Sequence, residues 1–287
     1  MKKRKLCNIC DGSIFKAIYR LKDFNIIQCQ KCNTLCRDVV FERNESEQLY
    51  KEDYFCDLQN DFFFKNKELR EKAFESKIAI INKFYPQSGK LLDIGCATGT
   101  FLKVARQNGW DVEGVEISEF ASNYSIEKEG LKIYNCDLMD VKLPSCSVDA
   151  VTMWDMIDHS EFPSEIIKEV NRILKPAGII AMDTFMEDSL LITLANYAYR
   201  FSFGLIRYPA CKAHPLHHSH YFSTKTFRYL LESNNFEVIF KKGSNLDARI
   251  VSLGFFGKII VFFVNLLTKV IGRELEMLIV GRKKLNV

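Results

Sequence analysis

Three groups of residues in this chain have types and spacings that could do chemistry. The first is two C-x-x-C pairs, Cys7/Cys10 and Cys29/Cys32. Each pair brings two sulfurs within reach of one ion. Two pairs complete a tetrahedral set with no position left for water, so a structural Zn²⁺ is expected. Redox-active or unrelated cysteines are the competing readings, and Cys36 is a spare thiol nearby. The second group is three acids, Asp93, Glu116 and Asp137, each near the end of a short apolar run, with Gly95 and Gly99 in the turn Gly95-Cys-Ala-Thr-Gly99. An acid before such a turn repels phosphate and suits a ligand carrying positive charge. The third is histidine: His214, His217, His218 and His220 fall within seven positions, and His159 follows Asp158. Such density invites a metal, but no nearby carboxylate or cysteine completes a site, Cys211 apart, so a metal is not expected there.

The elements that must position these residues follow from periodicity. Leu91, Leu92 and Ile94 read as a buried strand leading through the glycine turn into a helix, Thr100 to Gln107, with Phe101, Leu102 and Ala105 at helical spacing. Strands follow at Val112 to Ile117, Leu131 to Asp137, Asp149 to Trp154 and Ile179 to Asp183. A helix capped by Ser164 after Pro163 precedes the last of these. Upstream, Lys67 to Phe84 reads as a helix. Downstream come a helix from Phe227 to Glu232 and strands from Phe236 to Phe240 and Glu276 to Val280. Alternating strand and helix describes a doubly wound sheet, whose ligands bind at the carboxyl ends of the strands. The spacing Asp-x-Gly-x-x-x-Gly argues against a dinucleotide, which wants G-x-G-x-x-G.

Lys90 to Ser118 resembles motif I of class I S-adenosylmethionine-dependent methyltransferases, with Ala97 where that family usually has glycine. Asp158-His159 resembles the family's E-H segment, and Arg172-Ile-Leu-Lys-Pro-Ala-Gly178 its R-x-L-K-P-G-G run. The resemblance implies a Rossmann-like, doubly wound seven-stranded sheet with an antiparallel last strand, preceded here by a small zinc ribbon. It implies S-adenosylmethionine as cofactor, bordered by Asp93, Gly95 and Gly99, with Glu116 on the ribose and Asp137-Leu138 at the adenine. Trp154 is expected to pack on the adenine or methionine part. His217-His218-Ser-His-Tyr-Phe-Ser223 resembles the E-H-x-x-Y-F-S run of sugar C-methyltransferases. That implies His218 as a base over the substrate, with His217 in place of the Glu. His159 reads either as a base near the methyl group or, as we favour, as a histidine that holds loops together.

The chain has 287 residues, a net charge of +4 and 47% hydrophobic residues, enough for a sizeable core. The expected division is a ribbon over 1–40, a linker and lid with an amino-terminal helix over 41–89, and a methyltransferase domain over 90–287 with an insertion at about 186–222. The opening Met-Lys-Lys-Arg-Lys lacks a following apolar run, so it does not read as a secretory signal, and a cytoplasmic protein is expected. Tyr50, Tyr54 and Phe55 match a stretch in ribbon-bearing relatives and could form a lid or weld ribbon to domain. Residues 250–271 are nearly all apolar yet too short to span a membrane. They could meet the core, a second subunit or lipid. A small-molecule acceptor is expected (a sugar, a lipid-linked compound or a secondary metabolite). Nucleic acid is disfavoured, because no dense basic-aromatic face and no N-P-P-Y-like segment is present. The alternatives are a nucleic-acid methyltransferase or binding module that reads through the ribbon, and a non-catalytic cofactor-binding scaffold.

Overall fold

The structure is a computed structural model and describes residues 2–21, 23–42, 45, 67–206, 208–245 and 255–285. Most of the expected 41–65 lid, and residues 250–254 of the apolar stretch, lie outside these. The chain opens with β1 (Lys2–Lys3), β2 (Phe15–Arg20), β3 (Asn25–Cys29), β4 (Leu35–Arg37) and β5 (Val39–Val40). β2, β3 and β4 form an antiparallel meander, and β1 pairs with β5. The next described element is α1 (Lys67–Phe84), followed by β6 (Lys90–Ile94), α2 (Thr100–Gln107), β7 (Asp111–Val115), α3 (Glu119–Glu129), β8 (Lys132–Tyr134), α4 (Leu138–Val141) and β9 (Val148–Trp154). The carboxyl-terminal half continues with α5 (Pro163–Ile173), β10 (Leu174–Phe185), α6 (Leu190–Phe201), α7 (Tyr208–Ala213), β11 (His220–Tyr221), α8 (Thr224–Glu232), β12 (Phe236–Ser244), α9 (Phe255–Ile271) and β13 (Glu276–Lys283).

Seven strands form one sheet in the order β12-β13-β10-β9-β6-β7-β8. Pairings from β10 to β8 are parallel, while β13 runs antiparallel to both β10 and β12. β6 and β9 are almost wholly buried because helices cover both faces, which is why they read as unbroken apolar runs. Two clusters lie on these strands. One gathers Leu92, Met153, Ile167, Val170 and Phe227. The other gathers Ile78, Ile81, Leu91, Phe101 and Leu102.

One expectation needs correction. Ser164 does not cap α5. Pro163 occupies the first turn with Phe162 at the cap position, because proline has no N–H to satisfy and its fixed φ starts a helix well. Of the three directions left open for the apolar helix α9, its described side chains take the outward one. Phe262, Phe263, Leu266, Leu267, Val270 and Ile271 are exposed, whereas Thr268 is buried. Thr268 is held inward because its hydroxyl donates to Asn245 Oδ1 at 3.1 Å, a bond that a solvent-facing side chain would not need. Among the described residues no helix is long and apolar enough to cross a membrane.

One pairing was not legible in the sequence. β11 runs antiparallel to β4, with His220 opposite Cys36 and Tyr221 opposite Leu35. A two-residue piece of the 186–222 segment thus completes the ribbon sheet as β11-β4-β3-β2. Behind that seam, the buried guanidinium groups of Arg4 and Arg37 both meet the carboxylate of Glu161.

Candidate active site

Asp93 and Glu116 meet at the carboxyl edge of the parallel strands, whereas β8 stops at Tyr134, short of the expected Asp137. Asp93, on β6, is fully buried and accepts from the Thr152 hydroxyl on β9 at 2.6 Å. Burial pushes its carboxyl up to about 8, against smaller opposing effects from Thr152 and Lys77. Gly95 and Gly99 both adopt positive φ, near +73°. A Cβ on Gly95 would lie 2.5 Å from Met156 Cγ, and one on Gly99 2.4 Å from Leu131 Cδ1, so only glycine closes this turn. Ala97 also has positive φ, at 48°, where the resemblance has glycine.

Glu116 follows β7, and its carboxylate accepts from the amides of Ala97 and Ser118, each at 2.8 Å. Burial raises its pKa, partly offset by those amides. It therefore braces the glycine turn. Asp137 caps α4 by accepting from the Met139 amide at 2.9 Å, and Leu138 is buried beside it. Trp154 ends β9 against Phe101, with ring centroids 5.0 Å apart, and its indole N–H is buried without an acceptor among the described residues.

Lys77 of α1 escaped sequence reasoning. Its ammonium meets Asp183 Oδ2 at 2.5 Å and lies 4.5 Å from the centre of the Trp154 ring. The available signal was its place between Phe74 and Ile81 on the apolar stripe of that helix.

The histidines divide into two sets. His214 is buried and packed, with Nε2 2.8 Å from Glu187 Oε2 and Nδ1 2.9 Å from the Ala210 carbonyl oxygen. His220 is likewise buried, its Nδ1 3.1 Å from the Ser160 carbonyl oxygen. His159, His217 and His218 instead meet one another. His159 lies 4.6 Å from His218 and 5.3 Å from His217, ring centre to ring centre. The loop after β9 brings His159 there, and the segment before β11 brings the other two. These loops are tied by the amides of Ser219 and His220, which donate to the Asp158 carbonyl oxygen at 2.8 and 3.1 Å. Burial lowers all three imidazoles, His217 to about 3 and His218 well below its ordinary value. They are neutral near pH 7.

At the ribbon, Cys7 Sγ lies 3.6 Å from Cys32 Sγ and Cys10 Sγ 3.6 Å from Cys29 Sγ, all four sulfurs lying within 4.8 Å of one another. Tetrahedral Zn–S bonds of about 2.3 Å would place sulfurs roughly 3.8 Å apart, so the donor set fits such an ion. Cys36 lies outside this cluster.

The strand-end residues also fit S-adenosylmethionine. Buried carboxylates suit a ligand with an ammonium and ribose hydroxyls, and the orphan indole N–H offers one donor. A groove of about 390 Å³ between the ribbon and α8 is lined by Lys31, Tyr221 and Tyr229. It contains none of the strand-end acids, so we do not place the cofactor there.

Comparison with known proteins agrees with this architecture. A family described as "Methyltransferase domain" matches residues 67–240, well over half of the chain. The sterol 24-C-methyltransferase of Gibberella zeae is 33% identical over 102 residues, covering 32% of this chain and 27% of that protein. The ubiquinone biosynthesis O-methyltransferase of Haemophilus ducreyi is 30% identical over 106 residues, covering 33% and 44%. The chain thus spans less than half the length of these curated relatives. A SAM-dependent methyltransferase structure from Archaeoglobus fulgidus superposes with a TM-score of 0.53 at 17% identity, covering 77% of this chain and 99% of that one, and so speaks for the fold alone. By its matched domain and its strand order, the chain belongs to the methyltransferase-domain family and has the class I, Rossmann-like fold of S-adenosylmethionine-dependent methyltransferases.

Proposed function

We propose that this protein is an S-adenosylmethionine-dependent methyltransferase acting on a small-molecule acceptor, with a structural Zn²⁺ in the ribbon. The observation that carries the reading is the line of buried acids, Asp93 and Glu116, beside a turn that only glycine closes. When bound, S-adenosylmethionine supplies an electrophilic methyl group on a sulfonium. Asp93 meets the ammonium, Glu116 the ribose, and Asp137 with Leu138 the adenine. Trp154 walls the site, and Lys77 holds Asp183 and the indole face in place. Most of the rate comes from alignment of acceptor and methyl group, and His218 stands on the acceptor side as the group that takes up the acceptor's proton. His159 holds the two loops together.

Two of the relatives are named for a sterol and for ubiquinone biosynthesis, which supports a small, partly apolar acceptor. The exposed face of α9 is then the natural contact with lipid or with a second copy. Calorimetry with S-adenosylhomocysteine, and a mass gain of one methyl group on candidate acceptors, test the reading. No binding by the native chain would overturn it, and binding without turnover on any acceptor would favour a scaffold.

A further inference from the structure

We infer that His159, His217, His218 and Asp158 form a binding site for one divalent transition-metal ion, separate from the four-cysteine cluster. The nearest ring nitrogens of the three histidines all lie within 4.8 Å of one another. Asp158 Oδ2 lies 3.2 Å from His218 Nδ1, and Asp158 also falls within 4.8 Å of His159. Three imidazoles and one carboxylate are a donor set for zinc, cobalt or iron. Ligand atoms around such an ion at about 2.0–2.1 Å stand roughly 3.4 Å apart, so the three imidazoles close on it by up to about 1.4 Å, and Asp158, which lies outside their 4.8 Å cluster, turns toward it from beside His218 and His159.

The independent observation is Asp158 itself. Its side chain is 2% exposed, and neither carboxylate oxygen accepts a hydrogen bond among the described residues. A buried carboxylate approached only by an imidazole nitrogen, from which it accepts no hydrogen bond, is costly unless a cation meets it or it takes up a proton. No lysine or arginine pairs with Asp158 among the described residues. Its backbone is meanwhile pinned by the amides of Ser219 and His220, so the side chain cannot easily swing to water. The sequence offered no completing carboxylate near the histidine run. The fold supplies one from a loop some 60 positions earlier in the chain.

The consequence for chemistry rests on the methyltransferase reading, while the site itself does not. An ion here stands on the acceptor side and, by expanding to a fifth ligand beyond its four protein donors, acidifies a hydroxyl bound to it. With the ion present the imidazole nitrogens are engaged. The acceptor's proton then passes to solvent from a metal-bound oxygen, and the His218 base describes the metal-free protein only. Hydroxyl acceptors are thereby favoured over amines.

Titration of the chelator-treated full chain with Co²⁺ tests the inference without cofactor or acceptor. Two ions per chain are expected, one with the intense thiolate charge-transfer bands of a four-cysteine site and one with d–d bands alone. His218→Ala and Asp158→Asn should each keep the thiolate bands and weaken the second ion by more than the ~10–100-fold typical of losing an outer-shell partner. One ion per chain with thiolate bands only, or a second ion that both variants bind normally, overturns the site. Far-ultraviolet circular dichroism guards against a misfolded variant, and Asp158→Asn keeps the side-chain shape if His218→Ala fails to fold. Normal Co²⁺ binding without methyl transfer on any acceptor would sink the methyltransferase reading and leave the metal site standing.

Discussion

At the scale of single residues, the ligand-free site holds a proton that the cofactor should displace. Asp93 sits among Thr152, Lys77, Glu116 and Asp183, and burial raises its carboxyl to about 8. A carboxyl whose pKa rises on folding stabilises the fold fully below its unfolded value, and that contribution is lost as pH climbs through the folded one. Between about pH 4 and pH 8 the ligand-free protein should therefore lose stability relative to Asp93→Asn. The loss should exceed about 1.4 kcal/mol, the worth of one pKa unit, in urea unfolding at the two ends of that window. An ammonium beside Asp93 reverses the balance. Cofactor binding near pH 7 should release a proton and tighten as pH rises toward about 8, and calorimetry in buffers of different ionisation heat would read that proton. Its absence would mean that the ammonium does not meet Asp93. Glu116→Gln should weaken cofactor binding by roughly ten- to a hundredfold, since hydrogen bonds to a charged group are worth about 1.5–3 kcal/mol. It should also lower the melting temperature, because the same carboxylate holds the amides of Ala97 and Ser118.

At the scale of elements, the ribbon positions the segment that carries His217 and His218, proposed above to face the acceptor. β11 is a strand of its sheet, Arg37 donates to the Leu216 carbonyl oxygen at 2.6 Å, and the Arg37 amide donates to Ser219 at 3.2 Å. These contacts bracket His217 and His218. Asp93, Glu116 and Trp154, proposed above to line the cofactor, belong instead to β6, the turn after β7 and β9. Cys29→Ser should therefore lower turnover by roughly 10²-fold, the cost of misplacing a reacting group by about an ångström, while leaving cofactor affinity nearly unchanged. Loss of cofactor binding in that variant would give the ribbon a role beyond this one. The turn into α2 makes the opposite prediction. Gly99→Ala should abolish cofactor binding and cost about 1–3 kcal/mol of stability, because its φ is +73° and its Cβ would strike Leu131. A denaturant midpoint equal to that of the native chain would show that the turn relaxes.

At the scale of the whole molecule, apolar surface is unevenly spread. α6 and the segment after it expose Leu194, Tyr197, Phe201, Phe203 and Leu205, and α9 exposes six further large apolar residues between Phe262 and Ile271. The two are tied where Arg273, just beyond α9, donates to the Asp188 carbonyl oxygen at 2.6 Å and to the Thr193 hydroxyl at 2.9 Å. We propose that this surface is covered in use by a membrane, where neighbouring Lys269 suits anionic headgroups. Flotation with anionic vesicles should carry the protein up, and a Phe262→Glu, Leu266→Glu double variant should stay behind. A native chain that ignores vesicles but scatters light as a dimer would assign the face to a second copy.

Much of this protein was legible before any fold was known, for a local reason. The two cysteine pairs, the glycine turn, the acids at strand ends and the alternation of strand and helix depend on residues a few positions apart. β6, α2 and β9 accordingly lie within one or two residues of their expected bounds. What only the tertiary structure decided joins distant residues. Lys77 reaches Asp183, Asp158 faces His218, and Arg4 meets Glu161 across 157 positions. The pairing of β11 with β4 rests on two residues, too few to leave a periodic signal. α9 carries an apolar pattern whose direction depends on one buried threonine and its asparagine partner. A histidine run was visible as a run; which of its members gather, and around which carboxylate, was set by packing the loop after β9 against the ribbon edge.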